Sequence, residues 1–280
     1  MTTPLPTWST IPELVDDAAE RFGALEALVD GDVRLDFREL RAEITAAARA
    51  FMASGVEPGD TIAIWAPNSW EWPIAALGAH LAGAVLVPIN TRFKGGEAGF
   101  VLDRARAKML FTVTDFLGTD HVELLRAAEA GGGLDETVVL RGPLPDGCVS
   151  FQSFVRRGED IDDAERAARS AAVAADDLCH IMFTSGTTGA PKGAMLMHGP
   201  TCRAYRSWCE VVGLQTGDRY LIVNPFFHSF GMNAGILACL MVGACNLPHA
   251  VFDVPSVMER ILAERVTMLP GRGCRRSCRS

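Results

Sequence analysis

Short apolar segments alternate with helical patterns over much of this chain, and the alternation restricts the folds open to it. Residues 61–65, 84–88 and 109–113 are short and apolar, as expected of buried strands. Residues 70–81 and 96–105 lie between them and have the apolar spacing of helices. Strands that alternate with helices in this way form βαβ units. We therefore expect an α/β fold with mixed, largely parallel sheets flanked by helices.

The same patterns continue on both sides of this region. Further helices are predicted at residues 11–22, 37–51, 121–130, 163–172, 201–212, 231–241 and 257–264. Further strands are predicted at residues 137–140, 178–183, 194–197 and 219–223. Residues 141–177 are polar, and we expect them to form a surface connection that contains the helix at 163–172. The length of 280 residues allows one large domain or two ordinary ones.

A loop rich in glycine and hydroxyl groups follows the strand predicted at residues 178–183. Its candidate phosphate-binding residues are Thr184, Ser185, Gly186, Thr187, Thr188, Gly189 and Lys192. Glycines let backbone N–H groups approach a ligand, hydroxyl groups add donors, and a lysine adds a point charge suited to phosphate. The loop is not a Walker A motif, because Pro191 stands where that motif has its second glycine. An ordinary surface loop is the alternative, but the preceding strand and the density of hydroxyl groups favour a polyphosphate site.

A second candidate site follows the strand predicted at residues 219–223. Its candidate residues are Phe227, His228 and Gly231, within the segment Asn-Pro-Phe-Phe-His-Ser-Phe-Gly at 224–231. An imidazole there could hydrogen-bond a carboxylate or gate a tunnel beside it, and the alternative is a histidine packed into an aromatic cluster. We expect structural roles for the remaining histidines, which are His80, His121, His180, His198 and His249.

These motifs resemble those of a known group of enzymes. The run Thr-Ser-Gly-Thr-Thr-Gly-Ala-Pro-Lys-Gly at 184–193 resembles the phosphate-binding signature of the adenylate-forming (AMP-binding) superfamily. Residues 35–40, 55–72, 82–90 and 224–231 resemble segments of the acyl-CoA synthetases, or fatty-acid–CoA ligases, in particular. Members of that group activate a carboxylic acid with ATP and Mg²⁺ as an acyl-adenylate, which CoA then converts into a thioester.

The resemblance implies a role for each candidate site. Loop donors and Lys192 would hold the β- and γ-phosphates of ATP, and His228 would line the acyl pocket near the carboxylate. No catalytic residue and no metal-binding residue is assigned. An adenylation domain of a peptide synthetase and a non-enzymatic fragment are the alternative interpretations.

The resemblance also bears on domain organisation. Residues 1–270 would form an incomplete large N-terminal domain, and the Arg- and Cys-rich residues 271–280 would be a disordered tail, with a shifted reading frame as one explanation. The family's later motifs and its small C-terminal lid domain, with a catalytic lysine, do not occur in the 280 residues. These residues alone are therefore not expected to complete the reaction.

Composition excludes some classes of function. A net charge of −8 argues against nonspecific binding of nucleic acid, which needs a positive surface. The N-terminus lacks the features of a signal peptide, and the longest apolar run, residues 234–245, is too short to span a membrane. We expect a cytoplasmic protein with reduced cysteines, since the eight cysteines show no zinc-type spacing.

Overall fold

Two β-sheets and the helices packed on them form the fold in this computed structural model, which describes residues 5–184 and 191–270. The larger sheet has seven strands in the order β7-β6-β5-β3-β4-β8-β9. These strands are β3 (Thr61–Trp65), β4 (Val85–Pro88), β5 (Ala107–Val113), β6 (Glu136–Arg141), β7 (Val149–Ser150), β8 (Leu178–Thr184) and β9 (Lys192–Met197). Every neighbouring pair is parallel except β8 with β9. The prediction of a mixed, largely parallel sheet is confirmed.

The smaller sheet has the strand order β10-β11-β1-β2. Its strands are β1 (Glu26–Asp30), β2 (Val33–Asp36), β10 (Arg219–Ile222) and β11 (Cys245–Pro248). Three of these were not predicted from the sequence. β1 and β2 form an antiparallel pair around Gly31, whose positive φ of 62° suits the turn. β11 directly follows an apolar helix, so no change in hydrophobicity marks its start.

Eleven α-helices lie within the described residues. They are α1 (Ile11–Phe22), α2 (Phe37–Ala53), α3 (Glu71–Leu81), α4 (Gly95–Ala105), α5 (His121–Ala127), α6 (Phe151–Arg156), α7 (Asp163–Ala171), α8 (His198–Val212), α9 (Ser229–Gly231), α10 (Ala238–Val242) and α11 (Val254–Ala263). Six of them, α1, α2, α5, α6, α7 and α11, begin at a polar side chain that caps them. Asp36 and Glu39 form a reciprocal capping box at the start of α2. The helices predicted near residues 11–22, 37–51 and 70–81 are confirmed with ends that differ by at most two residues.

One prediction about local structure was wrong, and another was right except for the type of helix. Residues 141–177 are more than a surface connection, because Phe151 and Phe154 of α6 lie in the core, where Phe154 packs against Phe51 and Phe111. The helix predicted at residues 231–241 is present, but its middle segment, Met232–Leu237, is π-helical and connects α9 to α10. π-Helical turns are rare and often occur near functional sites.

Some expectations concern residues outside the described ranges. They are the five loop residues Ser185, Gly186, Thr187, Thr188 and Gly189, and the tail at 271–280. The six cysteines within the described residues are free thiols, as predicted for them, at positions 148, 179, 202, 209, 239 and 245. Over the same residues, no helix has both the length and the apolar character needed to cross a bilayer.

Candidate functional site

The antiparallel pair β8–β9 brings the two described ends of the predicted phosphate loop together. Thr184 is the last residue of β8 and Lys192 is the first of β9, and the two are direct partners in the register. The Thr184 Oγ1 atom donates a hydrogen bond to the Lys192 carbonyl oxygen at 3.4 Å. Both residues are exposed. A residue with a hydroxyl group and a residue with an ammonium group are thus cross-strand partners at one end of the strand pair, and both are open to an anion from solvent.

This end of β8 is the edge at which α/β proteins commonly bind ligands. β3, β4 and β8 are parallel neighbours, so their carboxyl ends share one edge of the sheet. The connection after β4 returns across β3 to β5, whereas the connection after β8 leads outward to β9. Ligands of open α/β sheets bind outside the carboxyl ends of the strands where adjacent connections diverge in this way.

The second candidate site is a turn at the carboxyl end of β10, here called the His228 turn and comprising residues 224–231. The His228 N–H donates to the Pro225 carbonyl oxygen at 3.0 Å, and the His228 carbonyl oxygen accepts from the N–H of Met232 at 2.9 Å. His228 is exposed, and its ring lies 4.9 Å from that of Phe227. Partial burial lowers the pKa of His228, so its imidazole is neutral at pH 7. A neutral imidazole can still donate one hydrogen bond to a carboxylate.

Gly231 has a packing role in this turn. A Cβ atom added to Gly231 would lie 2.1 Å from the Pro225 carbonyl oxygen, so only glycine fits there. Gly231 is buried, and its backbone packs on the start of the turn rather than exposing a group to solvent. Its assignment to an acyl pocket stays a prediction.

Two further residues hold the His228 turn, and neither was predicted as a site residue. The Tyr205 hydroxyl group of α8 lies 2.6 Å from the Ser229 Oγ atom. Asn68, which follows β3, hydrogen-bonds to the backbone of the turn through its amide group. The Pro-Asn-Ser run at residues 67–69 was the available signal, but its partner is more than 150 residues away.

The two candidate sites lie along the same edge of the larger sheet, although the His228 turn itself leaves β10 of the smaller sheet. Asn68 follows the carboxyl end of β3 and holds the His228 turn, and Thr184 ends β8. One strand, β4, lies between β3 and β8. Two strand spacings correspond to roughly 10 Å within the sheet. This spacing separates the end of β8 from the end of β3, where Asn68 contacts the His228 turn.

The other five histidines of the chain are all buried within the fold, in agreement with the structural roles expected for them. His80, His180 and His198 lie together in the core, with His80 Nε2 and His180 Nε2 only 3.1 Å apart. His121 stacks on Trp65 at 4.1 Å. Within residues 5–184 and 191–270, no group of three or more His, Cys, Asp or Glu side chains is arranged to hold a metal ion.

Comparisons with known proteins agree with this arrangement. A sequence profile of the family described as AMP-binding enzyme matches residues 15–272. The 3-[(3aS,4S,7aS)-7a-methyl-1,5-dioxo-octahydro-1H-inden-4-yl]propanoyl:CoA ligase of Rhodococcus jostii (strain RHA1) is 43% identical over 269 residues, which cover 94% of this chain and 52% of that protein. The chain thus spans about half the length of the curated relatives that it matches.

Solved structures share the fold. The N-terminal domain of FACL13 from Mycobacterium tuberculosis superposes with a TM-score of 0.78 at 27% identity, covering 92% of this chain and 61% of that one. The anthranilate CoA ligase AuaEII, solved in complex with anthranoyl-AMP, gives a TM-score of 0.82 at 25% identity, covering 94% of this chain and 49% of that one. With the profile match over most of its length, the chain belongs to the AMP-binding enzyme family.

Proposed function

We propose that this chain provides the ATP-binding site and the acid-binding site of an acyl-CoA ligase. In the proposed reaction, a carboxylate oxygen attacks the α-phosphate of ATP, forming an acyl-adenylate and releasing pyrophosphate. The thiol of CoA then attacks the acyl carbon and AMP leaves, which gives the thioester. The observation that carries the proposal is the pairing of Thr184 with Lys192 at the carboxyl edge of the parallel sheet, in a chain of this family.

The chemistry of the β8–β9 pair fits a triphosphate. Phosphate oxygens accept hydrogen bonds from hydroxyl and N–H groups and are attracted to an ammonium group. Thr184 supplies a hydroxyl group, and Lys192 supplies the ammonium group. Because the chain carries a net charge of −8, local donors of this kind must overcome an unfavourable overall field for an anion. We propose that Ser185, Gly186, Thr187, Thr188 and Gly189 add further donors to the same phosphates.

The His228 turn fits the acid. The neutral imidazole of His228 would donate a hydrogen bond to one carboxylate oxygen, and the neighbouring ring of Phe227 would contact the apolar part of the acid. His228 is thereby proposed to orient the acid toward the α-phosphate, without transferring a proton itself. Holding two reactants in a reactive geometry accounts for a large part of catalysis in reactions of this kind.

The relatives suggest which acid is bound. The relative at 43% identity is named for a propanoyl group that carries a fused ring system, and a human relative at 30% identity is named as a medium-chain acyl-CoA ligase. We propose an acid of the first class, a propanoate with a bulky ring substituent, because that relative is the more similar of the two. Medium-chain fatty acids are the comparison class for the test.

Mg²⁺ and CoA complete the proposed reaction, but neither is assigned a residue. Mg²⁺ usually binds through one or two carboxylates together with phosphate oxygens, and it neutralises phosphate charge during transfer. Among residues 5–184 and 191–270, no group of three or more His, Cys, Asp or Glu side chains is arranged to hold a metal ion, and a site of one or two carboxylates would not form such a group. We therefore propose no step through the metal by residues of this chain.

Loss of the Lys192 charge tests the phosphate site directly. Binding of a fluorescent ATP analogue to the 280-residue chain is measured for wild type and for Lys192→Met, with displacement by unlabelled ATP. A hydrogen bond to a charged group contributes about 1.5–3 kcal/mol, and the exposed position of Lys192 favours the lower end. Since about 1.4 kcal/mol corresponds to a tenfold change, we expect the Kd for ATP to rise about tenfold.

A matched control is available at the opposite edge of the sheet. Lys108, near the start of β5, binds the Gly55 carbonyl oxygen and Asp60. Lys108→Met removes the same charge far from the proposed site and should leave the Kd for ATP unchanged. Equal Kd values for wild type and Lys192→Met, or equal losses in both variants, would remove Lys192 from the ATP site.

The acid site is tested separately by saturation-transfer NMR. The ring-bearing propanoate, octanoate, benzoate and an amino acid are compared as ligands of wild type and of His228→Ala. We expect the strongest transfer to the ring-bearing propanoate and a loss of that signal in His228→Ala. Transfer to the amino acid alone would instead favour the adenylation domain of a peptide synthetase.

A further inference from the structure

We infer that Asn68 is a positioning residue that sets the orientation of His228 toward the acid. This inference rests on the proposed function, since it gives a role in the acid site to a residue that the proposal places against neither ATP nor the acid. Asn68 lies in the segment that follows β3 of the larger sheet, whereas the His228 turn leaves β10 of the smaller sheet. Asn68 is therefore one direct link between the sheet that holds the β8–β9 pair and the turn that carries the imidazole.

The amide of Asn68 is saturated by the turn and by the last residue of β10. Its Nδ2 atom donates to the carbonyl oxygens of Ile222 and Asn224, each at 3.0 Å. Its Oδ1 atom accepts from the N–H of Phe226 at 2.7 Å. An asparagine side chain has two N–H donors and one carbonyl oxygen, and all of them are used here. A residue without this combination would leave backbone groups of the turn unpaired.

The hydrogen bonds of Asn68 lie in a buried environment, which increases their effect on the turn. Asn68 is only 4% exposed, and Phe226 is fully buried. Phe226 also packs against Trp72 of α3, with ring centroids 5.3 Å apart. Water does not easily replace a lost hydrogen-bond partner at such a buried position. The geometry of the first half of the turn therefore depends on Asn68.

The backbone position of Phe226 affects that of His228, which follows two residues later. The N–H of Phe226 is held by Asn68, and the N–H of His228 is held by the Pro225 carbonyl oxygen. Pro225 therefore lies between the two residues whose backbone Asn68 fixes, Asn224 and Phe226. A shift of this short segment moves the backbone of His228, and the exposed ring turns with it.

The test follows the ring of His228 without ATP or an acid. Histidines are labelled with ¹³C, and the His228 signal is assigned with His228→Gln. Asn68→Ser is compared with wild type and with Asn90→Ser, a matched change at the same edge. Asn90 follows β4, and its Oδ1 atom accepts one local hydrogen bond from the N–H of Arg92.

We expect Asn68→Ser to shift the His228 signal and to raise the pKa of His228 toward 6.5, because a loosened turn exposes the ring to water. Asn90→Ser should change neither quantity. Signals of the buried His80 and His180 should stay in place and show that the fold is intact. An unchanged His228 signal and pKa in a folded Asn68→Ser variant would overturn the inference.

Hydrogen exchange of the unaltered chain gives a second, independent measurement. The N–H of Phe226 is buried and bonded to Asn68, so it should exchange slowly with deuterium. Fast exchange in wild type would overturn the inference without any variant. If Asn68→Ser loses the signals of the buried histidines, Asn68 holds the fold as a whole and the inference is also overturned.

The outcome is separable from that of the proposed function. The His228 signal and the exchange of Phe226 report on the turn alone, in the absence of nucleotide and acid. Failure of ATP binding in the displacement assay, or of acid binding in the saturation-transfer experiment, would contradict the proposed function. The two measurements on the turn would still be interpretable.

Discussion

Acid should destabilise this protein through three histidines that are buried together without charge. His80, His180 and His198 are 0%, 0% and 1% exposed. His80 Nε2 and His180 Nε2 are 3.1 Å apart, and His198 Nδ1 accepts a hydrogen bond from the N–H of Ile11 at 3.2 Å. Charging any of these rings would place a cation in the core beside two other rings. The neutral form is therefore strongly preferred in the folded state.

The direction of the pH effect follows from the pKa values. Burial lowers the pKa of His180 to about 3 and that of His198 to about 4, with proximity to His198 contributing at His180. Burial also lowers the pKa of His80 well below 6.5, helped by the two neighbouring histidines. In the unfolded chain all three would titrate near 6.5. Their contribution is thus fully present above pH 6.5 and is lost as the pH falls toward 4, because only the unfolded chain takes up protons there.

The magnitude can be worked out for the two residues with defined values. One pKa unit corresponds to about 1.36 kcal/mol, and pH 5 lies 1.5 units below 6.5. Each of His180 and His198 should therefore reduce the free energy of unfolding by about 2 kcal/mol between pH 7.5 and pH 5. The sum of about 4 kcal/mol is large compared with the roughly 5–15 kcal/mol that stabilises a typical domain.

Urea unfolding at pH 7.5 and pH 5 measures this loss for wild type and for His180→Gln, whose amide cannot take up a proton in this range. The loss in free energy of unfolding should be about 2 kcal/mol smaller in His180→Gln than in wild type. Carboxylates and other groups contribute equally to both proteins and cancel in this comparison. His228→Gln, which removes an exposed ring, is the control and should change the pH dependence less. An identical loss in wild type and His180→Gln would refute the argument.

Two further predictions concern packing. Gly231→Ala should destabilise the fold by about 1–3 kcal/mol in thermal unfolding, because its Cβ would lie 2.1 Å from the Pro225 carbonyl oxygen. Gly96→Ala has nothing within 4 Å of its Cβ, so it should cost no stability, and equal effects of the two variants would contradict the steric reason. Phe154→Ala should cost about 3–5 kcal/mol in urea unfolding, since Phe154 is fully buried. Phe100→Ala, at a ring that is 37% exposed, is its control, and a similar loss there would show that burial is not the cause.

Most of the larger sheet could be predicted because its signals are local. The strand at Thr61–Trp65 and the helix at Ile11–Phe22 were predicted with the observed ends, and both are short segments whose apolar spacing is complete within the element. The smaller sheet was largely missed, although the Asp-Gly-Asp run at residues 30–32 is a known hairpin signal. β11 carried no usable signal, because an apolar strand of four residues after an apolar helix has no boundary in its hydrophobicity.

The sequence by itself determined the family, the alternation of strands and helices, and the residue types of the candidate sites. It could do so because the residues of a phosphate-binding loop are contiguous in the sequence, and their types show which hydrogen-bond donors and charges the loop carries. Only the tertiary structure decided that Thr184 is the register partner of Lys192, that Asn68 holds the His228 turn, and that three histidines share one part of the core. The contacts of Asn68 and of the histidines join segments that are 158 and 100 residues apart in the chain, and they depend on how helices and sheets pack. Periodicity and local motifs report on neighbours along the chain, so they carry no information about such contacts.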